Sequence, residues 1–170
     1  MPYRNTKGFI WFGFYSVVVW LCSSLWTAQA VPHMIAPVVE MTISNQIFKM
    51  EVAHTPTLRF DGLSRRSAIP PHTGMLFTYP DIRVRRYVMR HCWVPIDVVF
   101  LDSQGTIIAL HSMPVEDPDG VVPENKLTRY SSGKPAQYAL EFAQGSINML
   151  ELKQGQRITV PSSAILPVAQ

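Results

Sequence analysis

The chain has 170 residues, with 15 lysines and arginines against 12 acids and a formal net charge of +3. Arg4 and Lys7 sit in an N-terminal segment expected to be removed, and without them the formal charge falls to +1. That balance excludes the basic pI as an argument for nucleic-acid binding. It also leaves Cys92 as the one cysteine beyond that segment, with no partner for an internal disulfide.

Arg4 and Lys7 precede an apolar run at 9–21, and Ala28-Gln29-Ala30 supplies the small-x-small pattern of a signal-peptidase site. Residues 1–30 therefore read as a signal peptide cleaved after Ala30, which makes the mature chain exported, periplasmic or secreted. The alternative is an uncleaved N-terminal anchor in the inner membrane, the membrane then being met through this segment only. Leu21 stands where lipid attachment at Cys22 needs a small residue, which argues against a lipoprotein. Residues 31–37, with two prolines, form a leader to a single domain at 38–165, long enough to bury a core.

Within that domain, 38–43 and 46–53 are β-leaning runs joined by Ser44-Asn45, a tight hairpin turn. Thr55-Pro56 starts a short helix, with Thr55 as cap and Pro56 at the first helical position, and Gly62 interrupts it. Residues 69–74 are a loop. Strands are predicted at 75–79, ended by Pro80, and at 87–91. A central strand at 98–101 pairs with 106–111 across the turn Ser103-Gln104-Gly105. Residues 113–130 hold three prolines and four acids and read as a surface excursion. A strand at 138–142, a helical turn at 146–150 and a last strand at 156–160 complete the chain. The pattern predicts a mainly β, β-rich α+β domain, barrel-like or sandwich-like, with one or two short helices.

The stretch Arg59-x-x-Gly62-Leu63, Gly74-Met75-Leu76-Phe77, Met89, Pro95-Ile96-Asp97 and Phe100-Leu101-Asp102 resembles the domain-of-unknown-function 192 family. Leu140-Glu141 with Gly145, and Leu152-Lys153 with Gly155, resemble that family's closing segment. The likeness runs from about 46 to 160. It implies a compact β-rich domain, often behind a signal peptide in bacteria, with no established biochemical role. The family usually has tryptophan before the methionine and a polar pair and threonine after it. Here Val88 precedes Met89, and Arg90-His91-Cys92 follow, so a pocket wall at this place differs from that of relatives.

Arg59 and Asp97 each stand between apolar neighbours, where a charge is costly unless paired or exposed. Mutual pairing, a loop clamp and the lining of a polar pocket are the open readings. The candidate pocket is Arg59, Met89, His91 and Asp97, taking a small ligand or an envelope component in a non-enzymatic binding or accessory module. One alternative is a small hydrolase using His91, Asp97 or Cys92. Adjacent strand residues point to opposite faces, so His91 is poorly placed to activate Cys92, and packing is the simpler role for that thiol. A second alternative is an interaction module through the basic face Arg83, Arg85, Arg86 and Arg90, which could equally be a solvated guard on an edge strand. His72, His91 and His111 are dispersed and the acids at 116–124 lack a calcium-loop pattern, so no metal and no cofactor is expected.

Overall fold

The computed structural model describes residues 36–164. The expected signal peptide at 1–30, its alternative as an anchor, and the leader up to residue 35 lie outside the described residues. Among those described, no helix is long and apolar enough to cross a membrane.

Strands β1 (Val38–Ile43) and β2 (Gln46–Ala53) form the expected antiparallel hairpin. Ser44 and Asn45 both take positive φ, 46° and 63°, the backbone that a two-residue turn needs to match strand twist. Helix α1 (Pro56–Asp61) follows: the Thr55 hydroxyl accepts the Leu58 amide at 3.2 Å, Pro56 occupies the first turn, and Gly62 closes the helix at φ 51°. The helix bridges β2 to β3 (Thr73–Tyr87), which runs parallel to β2. Then come β4 (Ile96–Leu101), β5 (Ile107–Met113), β6 (Tyr130–Ala143) and α2 (Ser146–Met149). The sheet order is β1-β2-β3-β6-β4-β5, with every neighbouring pair except β2–β3 antiparallel.

The two strands predicted at 75–79 and 87–91 prove to be different from their expectation. A single strand of 15 residues runs through Pro80 and ends at Tyr87. The proline is tolerated because its register with β6 shifts between Thr78 and Arg83, so no ladder bond is asked of the missing N–H. Residues 88–91 leave the strand, and Arg90 makes one isolated bridge to Asp117. The strand predicted at 156–160 is also reduced to a bridge, Thr106 with Arg157. Ile107 N–H donates to the Gln156 carbonyl at 2.8 Å and Ile158 N–H to that of Gly105 at 2.9 Å, which pins this segment over the entry to β5.

β1 and β5 lie at opposite edges, so the sheet is open and sandwich-like rather than a closed barrel. Apolar layers cover both faces. One gathers Met41, Phe48, Met50, Leu76, Val99, Leu140 and Phe142 with Leu150 and Leu152. The other gathers Leu58, Leu63, Met75, Phe77, Met89, Cys92, Val98 and Phe100. Between them every residue of β4 is buried. Phe48, Phe77, Phe100 and Phe142 are among the largest fully buried side chains, each stabilising the fold by roughly 1.5–3 kcal/mol.

Candidate functional site

Strand parity divides the charges singled out from the sequence. Side chains alternate along β4, so Val98 and Phe100 enter the layer beneath α1 while Asp97, Val99 and Leu101 face the layer beneath α2. Asp97 is fully buried and accepts two hydrogen bonds, from Ser112 Oγ at 2.6 Å and from the Ile147 amide at 2.9 Å. It is the clamp that fastens the start of α2 to β4 and β5. Arg59 works on the opposite face. Its Nη1 donates to the carbonyls of His54 at 2.6 Å and Thr78 at 2.9 Å, and its guanidinium lies 5.1 Å from the Tyr79 ring centre. Of the open readings for these two charges, mutual pairing is excluded, because they bond on opposite faces of the sheet.

On the α1 face, the end of the helix, β3, the segment after it and β6 line a half-open cavity of about 200 Å³. Its walls include Arg59, Phe77, Tyr79, Arg86, Arg90 and Cys92, and Glu141 belongs to the same lining. Tyr79 and Tyr87 share a hydroxyl hydrogen bond at 2.8 Å along one side. Of the four pocket residues predicted from the sequence, Arg59 lines this cavity. Met89 is packed in the apolar layer, Asp97 faces the other way, and His91 stands outside the lining.

Glu141 is the chemically unusual group. It stands on β6 with Met75 of β3 and Val98 of β4 as cross-strand neighbours, and only 6% of it is exposed. Burial pushes its carboxyl up to about 8, against the opposing pull of the Leu63 backbone amide and the Arg66 charge. Arg66 itself is held by Glu51 in a two-pronged pair at 2.5 and 2.7 Å. Glu141 Oε2 is buried with no hydrogen-bond partner among the described residues. An orphaned carboxyl oxygen is costly in a folded chain. Gly62 lies directly over it: a Cβ there would come within 3.6 Å of Oε2 and 3.4 Å of the Phe77 ring, and the glycine's φ of 51° suits no side chain well.

The other sequence candidates find structural employment. Cys92 is buried, burial pushes its thiol up to about 11, and its sulfur hydrogen bonds the Arg90 carbonyl at 3.5 Å. A thiol so protonated is a poor nucleophile. His91 takes φ 55°, donates its amide to the Asp117 carbonyl at 2.8 Å, and packs its ring where Gly120 carries no side chain. His111 is tied to the Ser131 carbonyl at 2.7 Å, and His72 leans on Phe48. His91, Asp97 and Cys92, the residues named for a hydrolase, are not brought together in one site. Among the described residues no group of three or more His, Cys, Asp or Glu could hold a metal ion.

The basic face also divides. Arg85 is 5% exposed, lies 3.7 Å from the Tyr79 ring centre, and bonds Asp81 and the Ala136 carbonyl, so it is a buried brace rather than surface charge. Arg83 is exposed and pairs with Asp81 at 3.1 Å. Arg86 and Arg90 turn towards the cavity instead, Arg90 reaching Glu124 at 2.7 Å and covering the exposed Phe60 ring at 4.1 Å. Sequence reasoning left Glu141 out of the candidate pocket. The signal was present: like Asp97, it is a lone acid between apolar strand residues, Leu140 and Phe142.

The family model described as DUF192, uncharacterized ACR, matches residues 39–160. Comparison with curated proteins finds no match. Among solved structures the chain is similar to a Sinorhizobium meliloti 1021 protein provisionally described as a transcription regulator. The two are 29% identical over 72% of this chain and 90% of that one, with a TM-score of 0.58. It is also similar to a protein of unknown function from Novosphingobium aromaticivorans DSM 12444, at 21% identity, 72% and 85% coverage and a TM-score of 0.62. That second likeness concerns the fold alone.

Proposed function

From the premise that the chain belongs to the DUF192 family, we propose that it is an exported, non-enzymatic binding domain of the cell envelope whose ligand occupies the cavity beside α1. Fold likeness carries no function by itself, so the reading stands on the site. The single observation that carries it is Glu141 Oε2, a buried carboxyl oxygen left without a partner in the wall of a cavity. A buried polar atom of that kind calls for something to bond it. Export is supported by Arg4, Lys7, the apolar run at 9–21 and the Ala28-Gln29-Ala30 site, the pattern of a cleaved signal peptide.

Transcription regulation, the role given for the Sinorhizobium meliloti relative, finds little support in this chain's charges. Arg66, Arg83, Arg85 and Arg90 are each engaged by an acid of the same chain, which lowers the charge that the Arg83–Arg90 face can offer to phosphates.

The test is native mass spectrometry of the mature protein taken from the envelope of a producing bacterium, beside a Glu141→Leu variant. Leucine removes the orphaned carboxyl without adding a polar group, so the variant should fold. The expected result is a bound small molecule on the wild type that is absent from the variant. Identical small-molecule content in the two proteins, or none in either, would overturn the reading.

A further inference from the structure

The chemistry of the cavity narrows the ligand. Arg59 and Arg86 line it and neither has an acid partner among the described residues. Arg59 spends one nitrogen, Nη1, on two carbonyls, and its other N–H groups make no hydrogen bond within the described residues. Arg90 adds a third guanidinium at the rim, shared with Glu124. The buried oxygen of Glu141 faces the same space. Burial holds that carboxyl in its neutral form at pH 7, in which it carries one O–H donor. The cavity is therefore lined mainly by donors and by positive charge, with Asp61, exposed at its rim, the one acid of the described lining besides Glu141.

A cation set against Glu141 would sit among these guanidinium groups and near Arg66, whose charge already acts on the same carboxyl. A neutral polyol would leave the half-buried Arg59, with its unused N–H groups, without a counter-charge, while Arg86 keeps its exposed charge at the rim. An anion meets both needs. The volume, about 200 Å³, is below the roughly 300–1,000 Å³ of sites for drug-sized molecules, so the occupant is one small unit. Phe77 and the Tyr79–Tyr87 pair give the remaining wall an apolar body, suited to a carbon skeleton rather than to a bare inorganic ion.

We infer that the ligand is a small organic carboxylate, its charged end accepting hydrogen bonds from the Glu141 carboxyl and from the Arg59 and Arg86 guanidinium groups. This rests on the binding role proposed above and adds the ligand's class. It carries a pH signature. The groups facing Glu141 are Arg66, Cys92, Tyr79 and Tyr87, with Asp61 exposed at the rim. Burial pushes the thiol and the Tyr87 phenol up, away from neutral pH. Ionisation of Glu141 as pH passes about 8 removes a donor and puts a like charge against the ligand.

Calorimetric titration of the mature protein with lactate, glucuronate, methylamine and glycerol, at pH 6 and pH 9, tests this, with NMR amide shifts locating any binding. The expected result is binding of the two carboxylates at pH 6, weakened by up to about tenfold at pH 9, with shifts at Gly62, Leu63 and Glu141. E141Q, whose amide still donates, should keep the binding and lose the pH dependence, while E141L should lose the binding with an unchanged circular dichroism spectrum. Methylamine or glycerol binding in the cavity would overturn the carboxylate assignment yet leave the binding role standing. Carboxylate affinity equal at the two pH values, or retained in E141L, would overturn the role given to Glu141. If no probe binds, the carboxylate assignment falls, and the mass-spectrometric comparison of wild type and Glu141→Leu decides the binding role separately.

Discussion

Asp97 and Glu141 carry the same mark in the sequence, an acid between apolar strand residues, yet the structure gives them opposite fates. Asp97 has both oxygens bonded, while Glu141 has one left over. The local pattern thus reveals burial but not satisfaction, because the partners of Asp97 come from β5 and α2, remote in sequence. The difference can be read in solution. The folded protein holds Glu141 neutral up to about 8, whereas the unfolded chain ionises it near 4.5. A raised folded value means that stability is fully present below the unfolded value and falls as pH rises through the folded one. Across that window the wild type should lose about 1.4 kcal/mol per pH unit from this group, a slope that Glu141→Gln removes in urea unfolding measured from pH 5 to 9. For Asp97 the expectation is a plain loss of stability. Asp97→Ala leaves the half-buried Ile147 amide without its acceptor and frees the exposed Ser112 hydroxyl to water, and should cost about 1–3 kcal/mol by the same assay. A cost under about 1 kcal/mol would mean that the clamp at α2 contributes little.

At the scale of elements, the local chemistry was legible where it is self-contained. Ser44-Asn45 specified the hairpin, and Thr55-Pro56 with Gly62 specified both ends of α1. It misled where a partner strand decides. Pro80 reads as a strand end, but β6 shifts register beside it and lets β3 continue to Tyr87. The continuation matters for the site, since it carries Tyr79, Arg86 and Tyr87 past the cavity on one rigid strand. The close approach of β3 to β6 depends on Gly74, where an added Cβ would run into the Glu141 carbonyl oxygen and come within 3.0 Å of the Phe142 ring. Gly74→Ala should therefore destabilise by about 2–3 kcal/mol and shift the Glu141 amide resonance. A near-neutral variant would show that the two strands can part without harm.

At the scale of the whole molecule, the β-rich class and the family likeness were readable, and the sheet order was not. Periodicity tells which residues are strand and which face is apolar, but not that β6 inserts between β3 and β4. The same blindness hid the cavity, which exists only because α1, β3 and β6 meet. The order makes a prediction of its own. β6 and β4 lie inside the sheet with both faces covered, and β1 and β5 lie at its edges. Native-state hydrogen exchange should be slowest at Val98–Phe100 and Ala139–Glu141 and faster along β1 and β5; faster exchange in β4 than in β1 would contradict it. The insertion of β6 also sets a rule for how the chain comes together. The β1–β2 and β4–β5 hairpins join neighbours in sequence and can close early, whereas Met75 must find Glu141 across most of the domain, a contact whose loop-closure entropy is paid late. The carboxyl group at the heart of the cavity is delivered by that last pairing. A chain halted before it would hold its hairpins and its helix and still lack the wall that Glu141 gives the cavity.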